Sequence, residues 1–142
     1  MKAIIQDTTF RELFNREDPL YASAAEQMAR SIAVSRKGFT LDEMFWIVES
    51  GRSRCFVIEG EGRAVGVLVS QVQRLPSRTS CYVQQLAAES IRYLVRHWDE
   101  FLDTARADGA TVVNGLCEPD RVDMFNKFMG TKTLMHYVEI DL

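Results

Sequence analysis

From Arg54 to Leu86 the pattern of the chain steps by two residues, whereas on either side it steps by three and four. Cys55-Phe56-Val57-Ile58-Glu59 runs into a tight Gly60-Glu61-Gly62 turn, and Ala64 to Val72 forms a long second arm, so a β-hairpin is predicted. Leu75-Pro76-Ser77-Arg78 predicts the next turn, and Ser80 to Leu86 a third antiparallel strand. A meander with this much apolar content needs cover, which the flanking segments must supply.

Those segments read as amphipathic helices. Leu20, Ala24, Met28 and Ile32 recur every fourth residue after a break at Asp18-Pro19. Thr40 with Glu43 forms a capping-box pattern, followed by Leu41, Met44, Phe45 and Val48 at helical spacing, with Gly51 as the stop. After the meander, Ala87, Ile91, Leu94, Val95, Trp98, Phe101, Leu102 and Ala105 mark the longest helix, which ends near Asp108-Gly109. Thr111 to Cys117 reads as a strand, and Pro119 opens a helix carrying Val122, Phe125 and Met129 that Gly130 closes. Lys2 to Gln6 predicts a first strand and Leu134 to Ile140 a last one. The expected class is α/β (α+β), a mixed central sheet in the order β-α-α-β-β-β-α-β-α-β with helices on both faces. Residues 1–142 are expected to form a single domain, because no repeat, linker or low-complexity tract divides them.

Composition narrows the chemistry. A chain of 142 residues buries roughly 70% of its unfolded surface, enough to fold without a metal or disulfide staple. The 17 Lys and Arg against 20 Asp and Glu are interspersed, which argues against a phosphate-tracking surface and a nucleic-acid partner. Apolar runs are too short for a membrane span, and the start lacks the apolar stretch of a signal peptide, so a cytoplasmic protein is expected. Cys55, Cys81 and Cys117 are scattered and odd in number, unlike a disulfide framework or a zinc site, and no metal is expected.

The element order resembles the GNAT N-acetyltransferase fold. The likeness rests on the Gly60-Glu61-Gly62 hairpin with Ala64-Val65-Gly66-Val67 behind it, the long helix after the third meander strand, and Phe125-Asn126-Lys127-Phe128-Met129-Gly130 in the place of the family's "YEKLGF" ending. The resemblance implies acetyl-CoA held by a Q/R-x-x-G-x-G/A loop between the fourth strand and the long helix, where glycines let backbone N–H groups reach the pyrophosphate. Here that stretch reads Gln84-Gln85-Leu86-Ala87-Ala88-Glu89-Ser90-Ile91-Arg92, and no glycine lies between Gly66 and Gly109. The tyrosine acid of the family falls on Asn126 or Phe125, neither of which can donate a proton, and the usual strand-four base on Gln84 or Gln85.

A narrower resemblance, to the short GNAT-like virion and accessory proteins of tailed bacteriophages, rests on Phe125, Lys127, Met129 and Gly130. It implies a degenerate, non-catalytic member acting through protein partners, virion components among them, in the host cytoplasm or the virion and with no cofactor. The alternative is an acetyl-CoA-dependent N-acetyltransferase of an amine. Glu118 or His136 would then assist deprotonation, Tyr82 or solvent would reprotonate the thiol, and backbone groups from Leu86, Ala87 and Ala88 onward would hold the cofactor, with Asn114 beside its pantetheine arm.

Other residues carry plainer expectations. His97 is expected in solvent, His136 half-buried on the last strand, Trp46 and Trp98 in apolar helical stripes, and the cysteines as small core residues. Asn114-Gly115 reads as a bulge or as the place of closest cofactor approach. Arg52, Arg54, Arg63, Arg74 and Arg78 form either solvated turns or a grip for phosphate or an acidic partner.

Overall fold

The computed structural model describes residues 3–34, 39–134 and 140–142. In chain order it contains β1 (Thr9–Leu13), α1 (Tyr21–Val34), α2 (Leu41–Glu49), β2 (Arg54–Gly60), β3 (Arg63–Arg74), β4 (Thr79–Ala88), α3 (Ile91–Ala107), β5 (Val112–Gly115), a 3-10 turn at Pro119–Arg121 and α4 (Val122–Met129). The strands lie side by side in the order β1-β2-β3-β4-β5. The first four pair antiparallel, and β5 pairs parallel to β4.

Local chemistry accounts for the element ends. Glu61 (φ 52°) and Gly62 (φ 75°) are both left-handed, as a two-residue hairpin turn between twisted strands requires. Thr40 Oγ1 accepts from the Glu43 amide at 3.1 Å and donates to the Glu43 carboxylate at 3.0 Å, which starts α2 where the capping pattern placed it. Gly130 ends α4 in the left-handed conformation.

Helices cover both faces of the sheet. Ala24 and Met28 of α1 and Met44, Phe45 and Val48 of α2 pack with Cys55, Val57, Val67 and Val69. On the other face, Phe101 and Ala105 of α3 pack with Phe56, Leu68 and Cys81, and Tyr93, Leu94 and Met129 pack with Ile58 and Val65. The alternation of the meander strands divides their side chains between these two layers.

Several expectations are corrected. The first strand is Thr9–Leu13, not Lys2–Gln6: Ile4 and Ile5 pack against the Tyr93 and Met129 cluster, and the Ile5 amide donates to the Tyr93 hydroxyl at 2.8 Å. Ala87 and Ala88 belong to β4 rather than to the long helix, which starts only after its Ser90 cap. His97 is buried, 6% exposed, with Nε2 2.7 Å from Thr8 Oγ1 and Nδ1 2.6 Å from Glu100 Oε1. Trp46 is exposed, with the Arg52 guanidinium over its ring at 5.3 Å. Cys55 and Cys81 are core residues, but Cys117 is exposed. Residues 131–134 have no regular structure, and the rest of the expected last strand, His136 included, falls at 135–139, outside the described residues, apart from Ile140.

Candidate functional site

The sheet opens along one seam. Pairing of β4 with β5 covers Ser80 to Val83 opposite Val112 to Gly115 and stops there, while β4 continues to Ala88 against β3. At the same point the β3–β4 register slips: Ser70 faces Val83 and Val69 faces Gln85, so Gln84 is an extra residue. An inserted residue bends its strand and raises the local twist, and here it falls where β4–β5 pairing ends. The bulge expected at Asn114-Gly115 is therefore on β4, since β5 pairs without a register shift. Gly115 has a different duty: a Cβ there would stand 3.0 Å from the Val83 carbonyl oxygen.

Past the bulge, no strand pairs with the outer edge of β4 among the described residues. The Glu89 amide donates to the Val65 carbonyl at 2.9 Å, so residues in phase with it turn their backbone groups to β3 and those of Leu86 and Ala88 turn away. The Leu86 carbonyl is accordingly met from α1, accepting from Ser31 Oγ at 3.1 Å. Ala87 pairs with Val67 and packs its methyl on the α1 side.

Polar side chains gather beside this seam. Gln84 and Gln85, adjacent across the bulge, are both buried. Ser53 Oγ donates to Gln84 Oε1 at 2.6 Å, and Gln85 Nε2 donates to Ser31 Oγ at 2.5 Å. Two buried oxygens have no hydrogen-bond partner among the described residues: Gln85 Oε1 and Asn114 Oδ1. Asn114 stands opposite Tyr82 in the parallel ladder, and burial pushes the Tyr82 phenol up from its ordinary pKa. Glu118, half-buried, lies three residues past β5 at the head of the turn into α4. The structure thus brings Tyr82, Leu86, Ala88 and Asn114 to one seam, with Glu118 following the end of β5. In the sequence Gln85 is only an amide at the place of the family's base; its buried oxygen, without a donor among the described residues, lies next to the bulge, which no residue pattern announces.

The start of α3 is closed. Ser90 Oγ accepts from the Arg92 amide at 3.2 Å, the Tyr93 amide donates to the Ser90 carbonyl at 3.2 Å, and only Glu89 and Ser90 separate β4 from the helix. Both Glu89 carboxylate oxygens bond the Arg63 guanidinium at 3.1 Å. Of the arginines singled out in the sequence, Arg54 and Arg74 meet at Asp108, the first joining its carboxylate to Glu12 and the second donating to its carbonyl at 3.2 Å, whereas Arg52 covers Trp46 and Arg63 pairs with Glu89. Among the described residues no His, Cys, Asp and Glu group could hold a metal ion, and no helix is long and apolar enough to cross a membrane.

Solved structures repeat this architecture. An aminoglycoside acetyltransferase from an uncultured soil metagenomic sample superposes with a TM-score of 0.72 at 14% identity, covering 96% of this chain and 99% of that one. Glucosamine-6-phosphate N-acetyltransferase from Arabidopsis thaliana gives 0.70 at 13% identity, covering 95% and 99%. A predicted acetyltransferase with acetyl-CoA from Clostridium acetobutylicum gives 0.69 at 8%, covering 95% and 96%. The chain has the GNAT fold. No protein-family model and no curated protein matches the sequence. At these identities the likeness concerns the fold, and a transcriptional regulator from Bacillus halodurans shares it at a TM-score of 0.71 and 13% identity. Within the GNAT fold of this chain, the seam between β4 and β5 is where its bulge, its open strand edge and its donorless oxygens coincide.

Proposed function

We propose that the chain is an acyl-CoA-type N-acetyltransferase acting on an amine, with its reacting centre at the seam between β4 and β5. The observation that carries this reading is the Gln84 bulge at the point where β4–β5 pairing ends, beyond which the Leu86 and Ala88 backbone groups turn away from β3 with no partner strand among the described residues. The resemblance implies a pantetheine arm at that edge, and the amides of a strand edge without a partner strand would suit an amide-bearing arm as a further strand would. The solved acetyltransferases with this fold support the same reading.

A bound acyl thioester supplies the carbonyl carbon that the amine attacks; the C–N bond replaces the C–S bond, the nitrogen loses a proton and the sulfur gains one. Gln85 Oε1 and Asn114 Oδ1, buried acceptors without a donor among the described residues, would take the N–H groups of the incoming amine and aim its lone pair. Glu118 receives the proton the nitrogen loses, directly or through water. Tyr82, a phenol and so protonated near neutral pH, returns one to the sulfur. Calorimetric titration with acetyl-CoA tests the reading: saturable binding near micromolar, about -8 kcal/mol, is expected. No heat at millimolar cofactor overturns it.

The Ser90 cap and the Glu89–Arg63 pair at the start of α3 favour a second reading, a non-catalytic protein that binds no acetyl-CoA. The same titration separates the two.

A further inference from the structure

The part of the site meant for the cofactor's nucleotide does not fit it. A pyrophosphate at a helix start needs backbone N–H groups free to point at it and no fixed anion nearby. Here the Glu89 amide is spent on Val65, the Arg92 amide on the Ser90 hydroxyl and the Tyr93 amide on the Ser90 carbonyl. The Glu89 carboxylate holds a negative charge one residue before the cap, its side chain only 19% exposed. Arg63, the cation beside it, is already neutralised by that carboxylate and has Glu61 at 3.6 Å. Arg96, in the second turn, is tied to the Ile5 and Gln6 carbonyls and the Thr8 hydroxyl at 2.7 to 3.2 Å, which leaves Arg92, exposed in the first turn, as the cation nearest the helix start. By contrast, among the described residues no strand pairs with the β4 edge that would take the pantetheine arm, although its Leu86 carbonyl already accepts from Ser31 Oγ.

We infer that this chain recognises its donor as an acyl-pantetheine thioester, through the arm alone, and takes nothing from the 3′-phospho-ADP end of coenzyme A. The inference rests on the acyltransferase reading above and specifies its donor. The shared chemistry has two sources, free coenzyme A thioesters and the phosphopantetheine of an acylated carrier protein. A donor bound by the arm alone reaches the seam equally well from either, since neither needs a nucleotide pocket.

The test is a calorimetric comparison of acetyl-CoA, S-acetyl-phosphopantetheine, acetylated acyl carrier protein and 3′-phosphoadenosine 5′-phosphate on the intact chain. Dissociation constants of the first two within about threefold of each other are expected, with no displacement of either by the nucleotide. Tighter binding of the carrier would assign the source to it, and equal binding to the free thioester. Acetyl-CoA at least tenfold tighter than S-acetyl-phosphopantetheine, and displaced by the nucleotide, overturns the inference while leaving the acyltransferase reading intact. Binding of none of the thioesters overturns both. A Glu89→Gly, Ser90→Gly double variant gives the converse: it should gain affinity for acetyl-CoA and keep that for S-acetyl-phosphopantetheine, which also reports that it is folded. A folded variant without the gain shows that the clasp is not what closes the nucleotide end, and counts against the inference.

Discussion

Asn114 on β5 stands opposite Tyr82 on β4, and its buried Oδ1 accepts from nothing among the described residues. A buried acceptor without a donor costs about 1–3 kcal/mol, so the fold gives up stability at this point. Replacing Asn114 by Leu removes the orphaned atom while keeping the number and branching of side-chain heavy atoms. The variant should melt at the same temperature or higher, yet show a roughly tenfold higher KM for its amine if that oxygen receives the substrate's N–H. A loss of stability in thermal melts would show that the oxygen is satisfied in solution and has no call on a ligand.

Gly115 tests the seam mechanically. Its added Cβ in Gly115→Ala would press on the Val83 carbonyl oxygen, a backbone atom, at 3.0 Å. Overpacking of this kind costs about 1–3 kcal/mol. A urea midpoint lowered by that amount is expected, together with faster amide exchange at Tyr82 and Val83. An unchanged midpoint would mean that β5 moves freely against β4.

Much of this arrangement can be read in the sequence, for identifiable reasons. The Glu61-Gly62 turn, the Thr40 cap and the Gly130 stop are each written in two or three adjacent residues, and local chemistry decides them. The first strand was misplaced because Lys2 to Gln6 and Thr9 to Leu13 both suit a strand. What decides between them is remote: Tyr93 takes the Ile5 amide, while Leu13 fits the fully buried layer beside Cys55. His97 follows the same logic. Its neighbours Arg96 and Glu100 look like a solvated helix face, but the segment before β1 lies over that face and Thr8 reaches Nε2. The seam itself rests on the Gln84 bulge, and a register slip leaves no trace in a run of strand-forming residues. The closed start of α3 was legible in part: the missing glycines are visible in the sequence, whereas the Glu89–Arg63 clasp joins residues 26 apart.

Acid should weaken the corner before α1. Arg11 forms a two-pronged pair with Asp18 at 2.6 and 2.7 Å, and Asp18 Oδ1 also accepts from the Leu20 amide at 2.9 Å. The Arg11 bond, reinforced by that amide, holds the Asp18 carboxyl below its ordinary value. A lowered carboxyl pKa stabilises the fold fully above the unfolded value near 4, and that stability is lost as pH falls through the folded value. Arg11 is 38% exposed on its side chain, so solvent reduces the effect to about 1 kcal/mol or less. In urea melts Arg11→Met should lag the parent at pH 7 and approach it near pH 2. A gap that is the same at both pH values would assign the loss to packing instead.

Alkali should act in the opposite direction through Cys55. Burial pushes this thiol up to about 12, and the nearby Glu12 and Asp18 carboxylates add to the effect. The unfolded chain releases the proton near pH 9, while the folded chain keeps it until about 12. Stability is therefore fully present below pH 8 and declines as pH rises through that window, by up to about 1.4 kcal/mol per unit. Cys81 is shifted the same way by burial and adds to the slope. Cys55→Ala should have a lower stability at pH 7.5, from the space left in a layer where Cys55 is fully buried, but a shallower decline between pH 8.5 and 10.5. Alkylation gives the independent check: with iodoacetamide at pH 8 and mass spectrometry, Cys117 should be modified in the folded protein and Cys55 only after denaturant is added. Equal labelling of Cys55 and Cys117 in native buffer would mean that the layer beneath α1 and α2 opens readily, and the alkaline slope should then vanish with it.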